Sequence, residues 1–211
     1  MLLTKLHSML NHTLIIFVKN PVPGTVKTRI ARTAGDEAAV RVYEHLVDYT
    51  RQLVASVDCR RVVYYGDFIN PDDGWNAYAK HLQTGTDLGE RMQNAFSEQF
   101  AEETDKLIII GSDCFEITPQ HIEQGFAALD LADIVIGPAT DGGYYLLGMK
   151  QLHPFLFTDM PWSQPDLRQR TEQVVAQHGL RMARLDELSD IDEWTDYQRY
   201  LSGDGTRIKR I

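Results

Sequence analysis

The sequence is poor in cysteine and short of positive charge. Its 211 residues include two cysteines, Cys59 and Cys114, too few for a disulfide framework. Neither lies in a CxxC or Cys/His spacing suited to zinc, and the seven histidines show no ligand spacing either. A reducing, cytoplasmic setting is the expectation. Lys and Arg number 21 against 30 Asp and Glu, a formal net charge of −9. That balance argues against broad nucleic-acid or anionic-membrane partners, which need an extended positive surface. No run approaches the roughly 20 apolar residues of a transmembrane helix. The opening "MLLTKLHSMLNHT" is broken by Lys5, His7 and Asn11 and lacks a small-residue cleavage site, so a secretory leader is not expected. Repeats, low-complexity tracts and linkers are also missing. What remains is ordinary soluble composition, 43% apolar and 24% charged. The length suits one α/β domain over 1–211, with 1–12 and 203–211 as peripheral tails.

Two glycine-rich phosphate signatures are absent. GxGxxG does not follow the first apolar run, so no dinucleotide fingerprint is present. The pair Lys27-Thr28 suggests a P-loop, but Pro21 and Val26 stand where that loop requires glycine. Proline has no N–H for phosphate, and β-branched valine resists positive φ. In their place is "FVKNPVPGTVKTRI", Phe17 to Ile30, with three cations and no acid. It reads as a side-chain clamp for polyphosphate. Gly24 lets the backbone turn close to a ligand, the prolines stiffen the approach, and Lys19, Lys27 and Arg29 supply charge. The competing reading is a solvated loop pairing with surplus acids.

Short apolar runs at Leu14–Val18, Arg61–Tyr65, Leu107–Ile110 and Ile134–Ile136 predict strands buried on both faces. Helical stretches are predicted at Asp36–Ser56, Leu88–Glu103, Pro119–Leu129, Asp166–His178 and Ile191–Leu201, with Thr118 capping the third. "DGGYYLLGM" reads as a turn feeding another strand. The alternation predicts an α/β fold with a sheet covered on both faces.

Further candidates lie after these strands. "IIIGSDCFEIT" places Asp113 beyond a strand's carboxyl end, where open sheets bind ligands and a carboxylate can hold Mg²⁺ or Mn²⁺; it could equally cap a turn. In "GPATDGGYYLLG", Gly142 and Gly143 permit close backbone approach, and Asp141 could bind a sugar hydroxyl or act as a base; a tight turn explains the same residues. "LSDIDEWTDYQRYL" puts Asp190, Asp192 and Asp196 at the start of a helix, as dipole partners or as a second metal contact. Gln83 and Asp87 open a helix against nucleotide or acceptor, Arg91 can pack that helix, and Trp162 offers either a sugar-stacking face or core. Cys114 has no partner base and reads as a packed thiol.

Taken together, "FVKNPVPGTVKTRI", "QTGTDLGERMQNAF", "GSDC", "GPATDGGYYLLG", "PWS" and "DIDEWTDY" resemble a bacterial glycosyltransferase-like family long catalogued as a domain of unknown function. The segments occur in the family's order over about residues 14 to 200. The resemblance implies the nucleotide-diphospho-sugar transferase (GT-A) fold, a three-layer α/β/α sandwich on a mostly parallel, mixed sheet. It makes Lys19, Lys27 and Arg29 phosphate contacts, Asp113 the metal aspartate, and Asp190 or Asp192 a second metal or ribose contact. Phe115 and Glu116 depart from the family's usual proline after "GSDC", which points to an altered acceptor side. The expected function is metal-dependent glycosyl transfer from a nucleotide-sugar to a small acceptor. The alternatives are nucleotidyl transfer from an NTP and a non-catalytic nucleotide-binding module.

Overall fold

The structure, a computed structural model, describes residues 11–203. Most of the stretches expected as peripheral tails, 1–10 and 204–211, lie outside the described residues. The chain runs β1 (His12–Val18), α1 (Thr28–Ala34), α2 (Asp36–Ala55), β2 (Arg60–Tyr65), β3 (Ala79–Leu82), α3 (Leu88–Phe100), β4 (Lys106–Ile110), α4 (Pro119–Ala128), β5 (Ile134–Pro138) and β6 (Tyr144–Met149). A 3-10 turn (Pro154–Leu156) follows, then α5 (Leu167–Gln177), β7 (Met182–Arg184) and α6 (Trp194–Ser202). Seven strands form one sheet in the order β3-β2-β1-β4-β6-β5-β7. All neighbours pair in parallel except β6, which runs antiparallel to both β4 and β5.

The apolar runs explain the layers. Alternate residues of a strand face opposite sides, and here both sides are core. Leu14, Ile16, Ile108 and Ile110 pack with Leu53 and Val54 of α2 and Ile122 and Phe126 of α4. Ile15, Leu107, Ile109 and Ile136 pack on the other face with Met92 and Phe96 of α3 and Val175 of α5. Each such fully buried side chain contributes about 1.5–3 kcal/mol relative to exposure. The result is the expected three-layer sandwich with a mostly parallel, mixed sheet. A third cluster, Ile30, Val42, Leu46, Phe115 and Ile191, fastens α1, α2 and the segment before α6 over the carboxyl ends of the strands. No helix among the described residues is long and apolar enough to cross a membrane.

Four elements differ from the reading of the sequence. β3 and β7 carry little apolar signal; "AKHL" and "MAR" become strands because they pair in parallel with β2 and β5. The region after Lys27, read as loop, is helix α1. The last helix begins at Trp194 instead of Ile191, because Asp196 turns back to accept the N–H of Glu193 at 2.8 Å and of Asp192 at 3.2 Å. Asp190 and Asp192 therefore precede the helix.

Candidate functional site

Strand order reverses between β1, whose chain continues outward to β2, and β4 on its other side. Ligand crevices of open α/β sheets form at the carboxyl ends beside such a reversal. A cleft of about 510 Å³ opens there, walled by the loop after β1, the turn after β4, the β5–β6 connection and the segment before α6.

Its charged end centres on Lys27. The residue adopts a left-handed backbone, φ 44° and ψ 48°, immediately before α1. Its side chain is only 7% exposed, and Nζ lies 2.7 Å from Asp113 Oδ1 and 3.8 Å from Asp192 Oδ1. Burial alone would lower the lysine pKa; the charge of Asp113 and its hydrogen bond, with Asp192 and Asp190 behind, raise it instead. Lys27 is thus an ammonium ion at any ordinary pH. Arg29 Nη1 donates to Asp192 Oδ2 at 2.9 Å. The N–H of Ile191 donates to the carbonyl of Asp113 at 2.9 Å, which fixes Asp190 and Asp192 beside the turn that carries Asp113. Burial, then the charges of Asp113, Asp141 and Asp192, push the Asp190 carboxyl up to about 7, against the pull of Lys27. Negative charge is in surplus here.

Lys19, Lys27, Arg29, Gln83, Asp113, Asp141, Gly143, Trp162, Asp190 and Asp192 all line the cleft. Gln83 is anchored by its Nε2, which donates to the Tyr64 carbonyl at 3.0 Å. Asp141 Oδ1 accepts the Gly143 N–H at 2.8 Å, leaving Oδ2 for other partners. Trp162 rests on Gly89 of α3, where any Cβ would fall 2.1 Å from the indole Nε1. Three expected residues are not in the wall. Gly24 supplies a positive φ (+79°) with nothing near its missing Cβ, so its work is the turn. Asp87 caps α3, accepting the Glu90 N–H at 2.8 Å. Gly142, at φ +91°, is a packing glycine: a Cβ would lie 1.9 Å from the Pro165 carbonyl oxygen.

Phe115 and Glu116 do not line the cleft. Phe115 turns into the α2–α6 contact, its ring 4.0 Å from that of Tyr200, and Glu116 Oε2 accepts the Ser189 N–H at 2.8 Å. Arg91 holds the loop before α3 through the Gly85 carbonyl at 3.2 Å. The Cys114 thiol is buried, its pKa pushed well up by burial and by Asp190. Tyr43 and Ser112 are polar cleft residues to which the sequence reading gave no site role. Tyr43 of α2 accepts the Lys19 N–H at 2.7 Å and meets Ser112 Oγ at 3.3 Å. In sequence Tyr43 is one apolar position of a helical stripe, and nothing there marks it as a cleft residue.

The described residues contain no group of three or more His, Cys, Asp or Glu placed to cage a metal ion. A hard divalent cation does not require one; Mg²⁺ commonly takes one or two carboxylates and completes its shell with phosphate oxygens and water. An aspartate at the cleft mouth, two more held beside it and a surplus of negative charge fit that mode.

Residues 49–164 match the family model DUF2064, described as an uncharacterized protein conserved in bacteria, and the chain belongs to that family. A search of curated proteins finds no significant match. Among solved structures, a candidate nucleotide-diphospho-sugar transferase from Desulfovibrio desulfuricans G20 superposes with a TM-score of 0.87 at 28% identity, covering 96% of this chain and 91% of that one. Glucosyl-3-phosphoglycerate synthase from Mycobacterium tuberculosis, in complex with Mn²⁺, UDP and glucosyl-3-phosphoglycerate, matches at TM-score 0.56 and 10% identity over 94% and 78% of the two chains. The inositol-1-phosphate CTP transferase from T. maritima matches at 0.53 and 13% over 89% and 91%. At such identities the last two bear on the fold alone. That fold is the one shared by nucleotide-diphospho-sugar transferases and nucleotidyltransferases.

Proposed function

We propose that this chain is a transferase acting on a nucleotide-activated donor, and that it moves a glycosyl group from an NDP-sugar to a small neutral acceptor with the help of Mg²⁺ or Mn²⁺. The observation that carries the choice is where the cations lie. Of the described residues that line the cleft, only Lys19, Lys27 and Arg29 are basic, and all three come from the one loop and helix start after β1. Lys150 is turned to Asp133 at 3.5 Å and Arg168 to Glu187, outside the cleft wall. A nucleotidyl transfer brings an anionic acceptor up to an anionic triphosphate and needs positive charge on both sides. Elsewhere the wall offers Asp141, Tyr144, Trp162 and Ser163 instead. Hydroxyl-binding acids and aromatic faces suit a sugar or polyol.

In this reading Lys19, Lys27 and Arg29 bind the diphosphate and neutralise it as it departs. Asp113, with Asp190 or Asp192, would hold the divalent cation, which supplies further charge neutralisation when bound. Asp141, one oxygen fixed by the Gly143 N–H, presents the other to the acceptor hydroxyl. The test pairs two assays over a panel of donors and acceptors, one for nucleoside diphosphate released from NDP-sugars and one for pyrophosphate released from NTPs. Diphosphate release alone is expected. Pyrophosphate without diphosphate would replace this reading by nucleotidyl transfer, and tight metal-nucleotide binding with neither product would leave a binding module.

A further inference from the structure

Lys27 is held where local chemistry would not place a lysine. A left-handed backbone at a residue with a side chain costs on the order of 1–2 kcal/mol. The position before a helix favours Ser, Asp or Asn, and the helix's positive end disfavours a cation. Here the residue has φ 44°, no side-chain cap, and a side chain 7% exposed. All these costs are offset at one place, the 2.7 Å contact with Asp113 Oδ1 and the neighbouring charge of Asp192 Oδ1 at 3.8 Å.

Asp113 is also the carboxylate that would bind the divalent cation. An ammonium and a metal ion cannot both take the same oxygen lone pairs, and they repel one another at that range. We infer that Lys27 is the internal counter-cation of the metal site: its ammonium holds Asp113 in the donor-free protein and is drawn off by the donor's diphosphate. The inference rests on the metal-dependent reading above. It gives Lys27 two successive partners, carboxylate and then phosphate, and makes metal and donor binding cooperative through one side chain. Reciprocity follows, since whatever factor the diphosphate adds to metal affinity the metal must add to diphosphate affinity. Arg29 does not share this role, because its contact is with Asp192 Oδ2 at 2.9 Å and not with Asp113, and its remaining N–H groups stay available to phosphate.

The experiment measures Mn²⁺ affinity through water-proton relaxation, which separates protein-bound from free and nucleotide-bound ion, for wild type, Lys27→Met, Lys27→Gly and Lys27→Arg. Lys27→Gly suits the left-handed backbone and supplies a folded variant without the ammonium. Without nucleotide, the Met and Gly variants are expected to bind Mn²⁺ on the order of ten-fold more tightly than wild type, within the usual range of site coupling. Lys27→Arg, which keeps the charge, should stay closer to wild type. Adding a panel of nucleoside diphosphates should tighten Mn²⁺ binding in wild type more than in the Met or Gly variants. Wild type that binds Mn²⁺ with a diphosphate, while Met and Gly variants gain nothing without it, would overturn this inference and leave the metal reading standing. Mn²⁺ binding by none of the proteins, with or without diphosphates, would remove both.

Discussion

At Gly142 the chain has no room for a side chain, and the reason is local. Its φ of +91° is one that L residues rarely adopt, and an added Cβ would sit 1.9 Å from the backbone oxygen of Pro165, which cannot swing aside. Gly142→Ala should therefore cost at least ~2 kcal/mol of stability through strain and overpacking. Urea denaturation checks it; a variant as stable as wild type but unable to bind donor would return Gly142 to the ligand. Asp113 sits at the opposite extreme, its side chain 49% exposed and free to change partners. Asp113→Asn keeps the shape and removes the hard anion, so Mn²⁺ affinity measured with a nucleoside diphosphate present should fall about ten-fold or more while folding is unchanged. Unchanged Mn²⁺ affinity would remove Asp113 from the metal site. These residues also show what sequence can carry. That Lys27, Asp113, Asp190 and Asp192 share one cleft was legible, because the segments that carry them were read as converging at the carboxyl ends of the strands. The direct Lys27–Asp113 contact was not, since it joins two loops far apart in the chain. The packing of Gly142 against Pro165 was not legible, because an Asp-Gly-Gly turn looks the same whether ligand or backbone lies opposite.

The start of α4 shows how an element's end sets a pH dependence. Thr118 precedes the helix, and its N–H donates to Nδ1 of His121 at 3.0 Å, a capping box with histidine in the third helical position. Nδ1 can accept only when it carries no proton. Burial lowers the His121 pKa below 6.5, and the nearby acids Asp186 and Glu116 only partly oppose this. The unfolded chain then binds the proton more readily than the folded one, so stability is full above about pH 6.5 and falls as pH drops through the window between the unfolded and folded values. Glutamine caps equally well at this position and does not titrate. His121→Gln should thus lose less stability than wild type between pH 7 and 5.5, read from urea midpoints; equal losses would mean that His121 does not titrate in this window. The cap was legible because Thr-Pro before an apolar stripe is a local signal. β3 and β7 were not, since strands of three or four half-exposed residues owe their form to a neighbour that sequence does not name.

At the scale of the whole molecule, the site is closed by the far end of the chain. The segment at 188–192 is laid along β5 by paired backbone bonds, Leu188 N–H to the Pro138 carbonyl and Thr140 N–H to the Leu188 carbonyl, both at 3.0 Å. Ile191 then ties it to Asp113, and α6 locks the arrangement by packing Tyr197 and Tyr200 around Phe115 and His45 of the preceding layer. Phe115 is the hub of this contact, 1% exposed and a single residue away from Cys114 in the turn that bears Asp113. It belongs to the third cluster and not to the sheet's two main cores, so its loss should act on the lid formed by 188–203 more than on the sandwich beneath. Phe115→Ala is expected to cost about 3 kcal/mol through the cavity it leaves. That loss should concentrate in α6, because peripheral elements open with less free energy than central strands. Hydrogen exchange should therefore accelerate at the Ile191 amide and along α6 while β1 and β4 keep their protection. Metal-nucleotide affinity should fall with it, since Asp190 and Asp192 would no longer be held beside Asp113. Uniform acceleration across sheet and helices, or unchanged protection at Ile191, would show that the carboxyl-terminal segment is not a separate clasp on the cleft.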